Sequence, residues 1–276
     1  MSLEFVRYAD SAEFLRYTES FLLENEAENS LTLGVAAMLV SSSSTDNLWA
    51  SVSDDGKVVG TAFDTPPYKL VVTVAPDDVI DLLATEVHAS GQTTPGVFGP
   101  SGPSLRFAER WSKLSGLAIR PGIHQRVYRL DRVMPPASTS GVLRPAALDD
   151  LSLLSGWLED FTVEAGTTSP QTGLRVAKTG ISEGRLFVWD NGGPVSMAVW
   201  ARPTRNGVTI SAVYTPGNER ARGYASACVA ALSQQLLDDG KEFCCLYTDL
   251  SNRTANDIYQ SIGYKPVCDV DDYLFE

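Results

Sequence analysis

The two halves of the chain repeat one order of helical and extended patterns, and this repeat limits the possible folds more than any other feature. Near the start of each half, three apolar residues follow the i, i+3, i+7 spacing of one buried helix face. They are Phe14, Tyr17 and Phe21 in the first half and Leu154, Trp157 and Phe161 in the second. Asp10 and Asp150 precede these helices at N-cap-like positions. Each half therefore begins with a matching amphipathic helix.

The same order of strands and helices follows in each half. A turn with an extended run comes first, then a β-branched strand, a helix, a strand, a second helix and a last strand. The segments are 56–63, 69–74, 77–89, 97–99, 105–114 and 125–130, matched by 193–200, 208–214, 223–238, 243–247, 254–262 and 272–275. The repeat predicts an α/β fold with a mixed sheet, built by internal duplication of one unit.

A short segment of small and polar residues with two prolines separates the halves. It runs from Met134 to Gly141 and has the composition of a linker. The sequence therefore predicts two domains, residues 1–134 and residues 141–276.

The composition disfavours several classes of protein. A net charge of −12 argues against a nucleic-acid binder, because such proteins need a basic face. This charge suits a cationic acceptor such as an amine, but it also suits a purely solubilising surface. No apolar run reaches the roughly 18–20 residues of a membrane helix, and the N terminus lacks the features of a secretory signal. We therefore expect a cytoplasmic protein without a membrane partner.

Cysteine and histidine offer little for a metal site or a disulfide framework. The four cysteines all lie in the second half and form no C-x-x-C pair. The two histidines lie in the first half. We therefore expect buried, reduced thiols and no metal.

The segment from residue 213 to residue 225 combines a strand end, a short loop and a helix start. The helix begins near Gly223, and its first amides have no partner within the helix. These amides and the helix dipole favour a bound phosphate, which a glycine allows the backbone to approach. Arg220 and Arg222 add positive charge to the same place. The segment predicts a phosphate site, although a glycine near a helix start also serves simple tight turns.

The run Arg-Ala-Arg-Gly-Tyr-Ala at 220–225 resembles the R/Q-x-x-G-x-G/A pyrophosphate loop of the GCN5-related N-acetyltransferases. The resemblance implies two tandem acyl-CoA N-acyltransferase-like domains, with acetyl-CoA as the cosubstrate of the second. In that family the strand before the loop hydrogen-bonds the pantetheine through its main chain. The implied cofactor contacts are Val213, Tyr214, Thr215, Arg220, Ala221, Arg222, Gly223, Tyr224 and Ala225. Residues 217–219 depart from the family's more frequent Pro-Glu-Tyr, which a loop that binds through its backbone tolerates.

Residues 246–267 resemble the last conserved block of the same family. Asn252 stands at the position of the family's Asn and is implied as a further cofactor contact. Tyr259 stands where many members protonate the departing CoA thiolate, which implies that it is the catalytic acid. Gly263 is placed to end the helix in a left-handed C-cap. From the residues alone, Asn252 could equally cap a helix and Tyr259 could equally be a packing residue.

The sequence does not identify the general base. Many relatives carry a Glu on the strand before the loop, where this chain has Thr209, Ser211 and Ala212. Glu164 is a candidate from its position at a helix end, and water is another. In the first half, Asp77 occupies the expected loop region together with a second aspartate, and both would repel phosphate. The resemblance therefore implies that the N-terminal half is a degenerate copy without a cofactor.

The predicted activity is transfer of an acetyl group from acetyl-CoA to a primary amine of a small molecule or peptide. One alternative is an acyltransferase with another acceptor, similar to mycothiol synthase. A second is aminoacyl transfer as in the Fem family, against which the acidic charge and the complete CoA loop argue. The third is a non-catalytic acyl-CoA-binding sensor. The sequence does not fix the acceptor, and it leaves a homodimer open.

Overall fold

The computed structural model describes residues 2–41, 46–166 and 171–276, which form two compact units. The first unit contains the chain up to Val127 together with Val267–Glu276, and the second contains Tyr128–Pro266. Both halves of the chain have the order strand, two helices, three strands, helix, strand, helix, strand. The predicted α/β class and the repeated order are confirmed. The sequence patterns did not predict the first strand, the second helix and the strand after it in either half.

The first unit is a mixed sheet with helices packed on it. Its elements are β1 (Leu3–Arg7), α1 (Ser11–Glu24), α2 (Ser30–Met38), β2 (Leu48–Asp54), β3 (Lys57–Asp64), β4 (Leu70–Val72), α3 (Asp77–Ala89), β5 (Gly96–Pro100), α4 (Ser101–Ser115) and most of β6 (Ile119–Leu130). The last strand, β12 (Lys265–Phe275), pairs antiparallel with β5, and the strand order is β1-β2-β3-β4-β5-β12.

In the first unit, the ends of the parallel strands β4 and β5 lie in close contact. They pair in parallel through Leu70 with Val97 and through the next residue of each strand. A Cβ atom added to Gly99 would lie only 2.6 Å from the carbonyl oxygen of Val72. Helix α3 then begins with two aspartates in its first turn. Carboxylates here already occupy the positive end of the helix, which disfavours a phosphate.

The second unit has the same order of elements with longer strands at its centre. The elements are β7 (Val142–Pro145), α5 (Leu151–Glu164), α6 (Gly173–Ser182), β8 (Leu186–Asp190), β9 (Pro194–Ala201), β10 (Gly207–Tyr214), α7 (Tyr224–Asp238), β11 (Phe243–Asp249) and α8 (Arg253–Ser261). The strand order is β11-β10-β9-β8-β7.

Two hydrophobic clusters hold the second unit together. One joins α7 and α8 to the strands and includes Val208, Ile210 and Leu246. The other lies under α5 and includes Trp157 and Met197. Strand β10 contributes Val208 and Ile210 to the first cluster and Tyr214 to the second, because a one-residue shift in its register reverses the alternation of side chains before Tyr214. The strand therefore runs through the middle of the unit, between two packed layers.

One detail of the predicted first helices is wrong. Tyr17 does not join the buried face of α1, because it is 58% exposed and stacks on Tyr8 instead. Asp150 is the N-cap residue of α5 as predicted, but its side chain makes no capping bond to that helix and pairs with Arg144 at 2.6 Å. Asp10, in contrast, accepts a hydrogen bond from the amide of Glu13 as an N-cap should. Tyr17 has the sequence spacing of a core residue although it faces the surface. Asp150 has the position of a cap although its side chain forms an ion pair. Spacing alone therefore does not show what either side chain contacts.

The last ten residues, Val267–Glu276, belong to the first compact unit. The predicted domains of residues 1–134 and 141–276 assign this strand to the second half, so the contacts divide the chain differently from the linear repeat. No helix within the described ranges is long and apolar enough to cross a membrane.

Candidate cofactor and catalytic site

Strand β10 contains a bulge three residues before its end. Ser211 pairs with Val199 of β9, but the next pair joins Tyr214 to Met197, so β10 has one extra residue. Ala212 has a φ of 45°, in the left-handed region that residues other than glycine rarely occupy. Bulges of this kind bend a strand and redirect its main-chain groups.

Strand β10 also separates from β11 on its other side. The parallel ladder joins only Gly207, Val208 and Thr209 to residues 243–245. Among the described residues, β10 has no ladder pair with β11 beyond Thr209. The main-chain groups of its second half are therefore available to an extended ligand that adds to the strand edge.

A loop of unusual backbone geometry connects β10 to α7. It contains a 3-10 turn at Gly217–Glu219, and both Ala221 and Gly223 have positive φ values, of 61° and 81°. Gly223 is the N-cap residue of α7, and no side chain caps the helix there. The first amides of α7 have no intrahelical acceptor, so they present unpaired N–H groups and positive charge. Helix α7 therefore starts with unpaired amides beside two residues in the left-handed region, and the anion site predicted there stays a prediction.

The two arginines of the loop contact carboxylates in this structure. Arg220 donates through Nε to the carbonyl oxygen of Thr215 at 2.8 Å, and its Nη2 lies 2.6 Å from Glu164. Arg222 pairs with Glu219 at 3.0 Å. Both arginine side chains are about half exposed, so these ion pairs are weak. Either guanidinium can therefore exchange its partner for a phosphate at low cost.

Ser196 on β9 holds the end of β10, and sequence analysis did not identify it. Its side chain is fully buried and donates to the carbonyl oxygen of Tyr214 at 3.1 Å. The same hydroxyl lies 2.8 Å from Oγ1 of Thr215. The only signal in the sequence is a polar residue within an apolar strand, between Val195 and Met197.

The aromatic ring of Tyr214 faces α5. Its hydroxyl oxygen lies 3.4 Å from Asp160 and 3.5 Å from Glu164, and its single proton is shared between these two acceptors. Desolvation raises the pKa of Tyr214, and the negative charges of Glu164 and Asp160 raise it further. An acidic surface therefore lies beside the bulged end of β10.

Asn252 acts as the N-cap of α8, because its Oδ1 accepts from the amide of Ala255 at 3.1 Å. The neighbouring Asn256, which sequence analysis did not single out, is buried and donates to the carbonyl oxygens of Asp249 and Asn252. It also accepts from the hydroxyl of Tyr128 at 2.9 Å. These bonds fix the turn between β11 and α8.

Tyr259 lies on the buried face of α8. It belongs to one hydrophobic cluster with Tyr224, and Val213 packs against the same cluster. Burial raises the pKa of Tyr259 to about 12. Its hydroxyl makes no hydrogen bond to any described residue. Tyr259 therefore shares a hydrophobic cluster with the first residue of α7 and with Val213 of the bulged strand, and its phenol stays protonated at neutral pH.

Comparisons with known proteins found one matching family model and several solved structures of similar fold. Residues 190–271 match the family model described as FR47-like protein. An acetyltransferase of the GNAT family from Colwellia psychrerythraea aligns over 100% of both chains, with a TM-score of 0.60 at 11% identity. A GCN5-related N-acetyltransferase from Sphaerobacter thermophilus aligns over 98% of this chain and 94% of its own, with a TM-score of 0.61 at 17% identity.

A tandem GNAT protein from the clavulanic acid biosynthesis pathway also aligns, over 100% of this chain and 98% of its own. Its TM-score is 0.56 at 14% identity. The search of curated protein sequences gave no match.

The chain has the fold of the GCN5-related N-acetyltransferases over its whole length, and the resemblance predicted from the sequence is confirmed at that level. Within that fold, the segment from residue 190 to residue 271 is FR47-like.

Proposed function

We propose that the second unit is an N-acetyltransferase that binds acetyl-CoA along the free edge of β10 and over the start of α7. One combination of features carries this proposal. Strand β10 bulges, its ladder with β11 ends at Thr209, and the loop that follows the strand leads into α7, whose first amides are uncapped. An extended chain ending in a diphosphate needs both features, a strand edge for its amides and a helix start for its phosphates.

The residues present fit such a cosubstrate. Main-chain groups of Val213, Tyr214 and Thr215 would bind its pantetheine portion. The loop residues Arg220, Ala221, Arg222, Gly223, Tyr224 and Ala225 would bind its diphosphate. Asn252 would contact the cosubstrate at the start of α8, the helix that it caps. When bound, acetyl-CoA supplies an acetyl group activated as a thioester.

The chain's own groups would then orient the reactants and move protons. An amide N–H of the bulge at Ala212 and Val213 would stabilise the negative charge that develops on the acetyl oxygen. The acceptor amine would form the new C–N bond as the C–S bond breaks. Tyr259 would donate its proton to the departing sulfur. The amine would lose its proton to water.

A primary amine of a small molecule or peptide is the proposed acceptor. Asp160 and Glu164 line the approach to Tyr214, and the whole chain carries a net charge of −12. A negative surface raises the local concentration of ammonium groups. Four free cysteines are consistent with a cytoplasmic protein.

A non-catalytic acyl-CoA sensor is the second candidate, and one observation favours it. The side chains of β10 before the bulge include Thr209 and Ser211 but no carboxylate. A sensor would bind acetyl-CoA without acceptor-dependent turnover. An acyltransferase with another acceptor, similar to mycothiol synthase, would differ only in the acceptor it requires.

The test combines binding and turnover. Calorimetric titration with CoA should show one site, and a thiol-release assay should show turnover stimulated by particular members of an amine panel. Gly223→Glu should abolish CoA binding while the circular dichroism spectrum stays unchanged. Binding without stimulated thiol release would support the sensor. CoA affinity that Gly223→Glu leaves intact would refute the location of the site.

We also propose that the first unit is a degenerate copy that binds no CoA. The contact of Gly99 with Val72 keeps β4 against β5, and Asp77 lies at the start of α3. A stoichiometry of one CoA per chain would agree with this proposal, and a stoichiometry of two would contradict it.

A further inference from the structure

The hydroxyl group of Ser196 joins three parts of the second unit. It lies on β9, donates to the carbonyl oxygen of Tyr214 and contacts the hydroxyl of Thr215, both on the continuation of β10. The buried Cys228 thiol of α7 also interacts with it. A residue with no exposed surface thus links the bulged strand to its neighbour and to the following helix.

The number of hydroxyl protons determines which group donates and which accepts in each of these hydrogen bonds. Ser196 has one proton, and the carbonyl oxygen of Tyr214 can only accept it. Thr215 therefore donates its own proton to Ser196. The bonds form a chain from Thr215 through Ser196 to Tyr214. The carbonyl oxygen of Thr215 in turn accepts from Arg220 at 2.8 Å.

This chain lies where β10 has lost its ladder to β11 and is paired only on its β9 side, through Tyr214 and Met197. The ladder to β11 ends at Thr209, and the bulge at Ala212 shifts the register with β9 by one residue. Beyond the bulge, the bonds from Ser196 fix the direction in which the main chain leaves the sheet. That direction sets the position of the loop at 217–223 relative to the free edge of β10.

We propose that Ser196 is a positioning residue for the cosubstrate, which it does not itself touch. It holds Tyr214 and Thr215 so that one CoA molecule can bind the strand edge and the helix start together. This inference rests on the proposed function. A merely structural role would make Ser196 important for stability and leave CoA affinity unchanged.

Ser196→Ala tests the proposal, with Ser233→Ala as the matched control. Ser233 is equally buried in the same unit, and its hydroxyl bonds with the hydroxyl of Tyr264 and also interacts with the Cys244 thiol. Both variants should lower the melting temperature by similar amounts. Ser196→Ala should weaken CoA binding on the order of fivefold, since each lost hydrogen bond has a modest net value, whereas Ser233→Ala should change it by less than about twofold.

A double-mutant cycle adds a measurement that a general loss of stability would not affect. Thr215→Val removes the other end of the same hydrogen bond, so its effect on CoA affinity should not add to that of Ser196→Ala. Additive effects, or equal losses of affinity in Ser196→Ala and Ser233→Ala, would overturn the inference. Failure of the wild-type protein to bind CoA would instead contradict the proposed function, so the two outcomes are distinguishable.

Discussion

Arg220 and Glu164 form an ion pair of 2.6 Å that connects the loop before α7 to the end of α5. The pair joins the proposed cofactor side of β10 to the acidic side that an acceptor would approach. Glu164 uses both carboxylate oxygens in this contact. The residue proposed from the sequence as a candidate base is therefore a partner of the proposed phosphate-binding arginine.

Glu164→Gln should leave the turnover number within about twofold and strengthen CoA binding by about twofold at low salt. The carboxylate competes with phosphate for Arg220, and an exposed pair of this kind contributes at most about 1 kcal/mol. Calorimetric titration and steady-state kinetics measure the two quantities. Arg220→Gln is the comparison, and it should weaken CoA binding. A hundredfold loss of turnover in Glu164→Gln would instead identify Glu164 as the general base.

Gly223→Ala should weaken CoA binding by tenfold or more and destabilise the unit by about 1 kcal/mol. The left-handed φ of 81° disfavours any side chain, and a Cβ would lie 2.9 Å from Oγ1 of Thr139. Gly217→Ala is the control in the same loop, because a Cβ there meets no atom within 4 Å. It should preserve both CoA affinity and stability. Equal effects of the two variants would show that Gly223 has no special role.

Tyr259→Phe should reduce the turnover number by about a hundredfold, with little change in CoA affinity or melting temperature. The phenol hydroxyl makes no hydrogen bond to the described residues, so its removal leaves no unsatisfied partner. Because burial raises the pKa of Tyr259 to about 12, the wild-type rate should show no loss from its deprotonation up to about pH 10. Unchanged turnover in the variant would exclude Tyr259 as the acid.

Asp64→Asn should remove a pH dependence from the stability of the first unit. Asp64 is fully buried, one of its oxygens lacks a hydrogen bond, and desolvation raises its pKa to about 6. Since the pKa in the folded protein exceeds the ordinary value of an aspartate, this group favours folding at low pH. Its contribution is lost as the pH rises through about 6, by about 3 kcal/mol in total.

Denaturant unfolding between pH 4 and pH 8 measures this effect as the difference between wild type and Asp64→Asn. The wild-type protein should lose stability relative to the variant over that window. A constant difference across the window would show that Asp64 has an ordinary pKa in the folded protein.

Local sequence signals predicted the elements that depend on near neighbours. Residues 77–89 form the predicted helix because an apolar face and two initial aspartates act within the segment itself. Gly263 has the positive φ expected of a residue that ends a helix. Helices α2 and α6 were missed, since α2 is apolar on several sides and α6 packs on α5 through small residues such as Gly173. Their positions depend on packing between segments, which sequence periodicity does not show.

The sequence by itself determined the repeated order of elements, the loop with its glycine and arginines, and the position of Tyr259 on a helix. These features depend on backbone propensities and spacing over a few residues. Only the tertiary structure decided that β10 bulges at Ala212, that Ser196 forms a hydrogen bond with Thr215, and that Glu164 forms an ion pair with Arg220. Each of these joins residues far apart in the chain. Contacts of that kind arise from the packing of whole strands and helices, so no short pattern in the sequence encodes them.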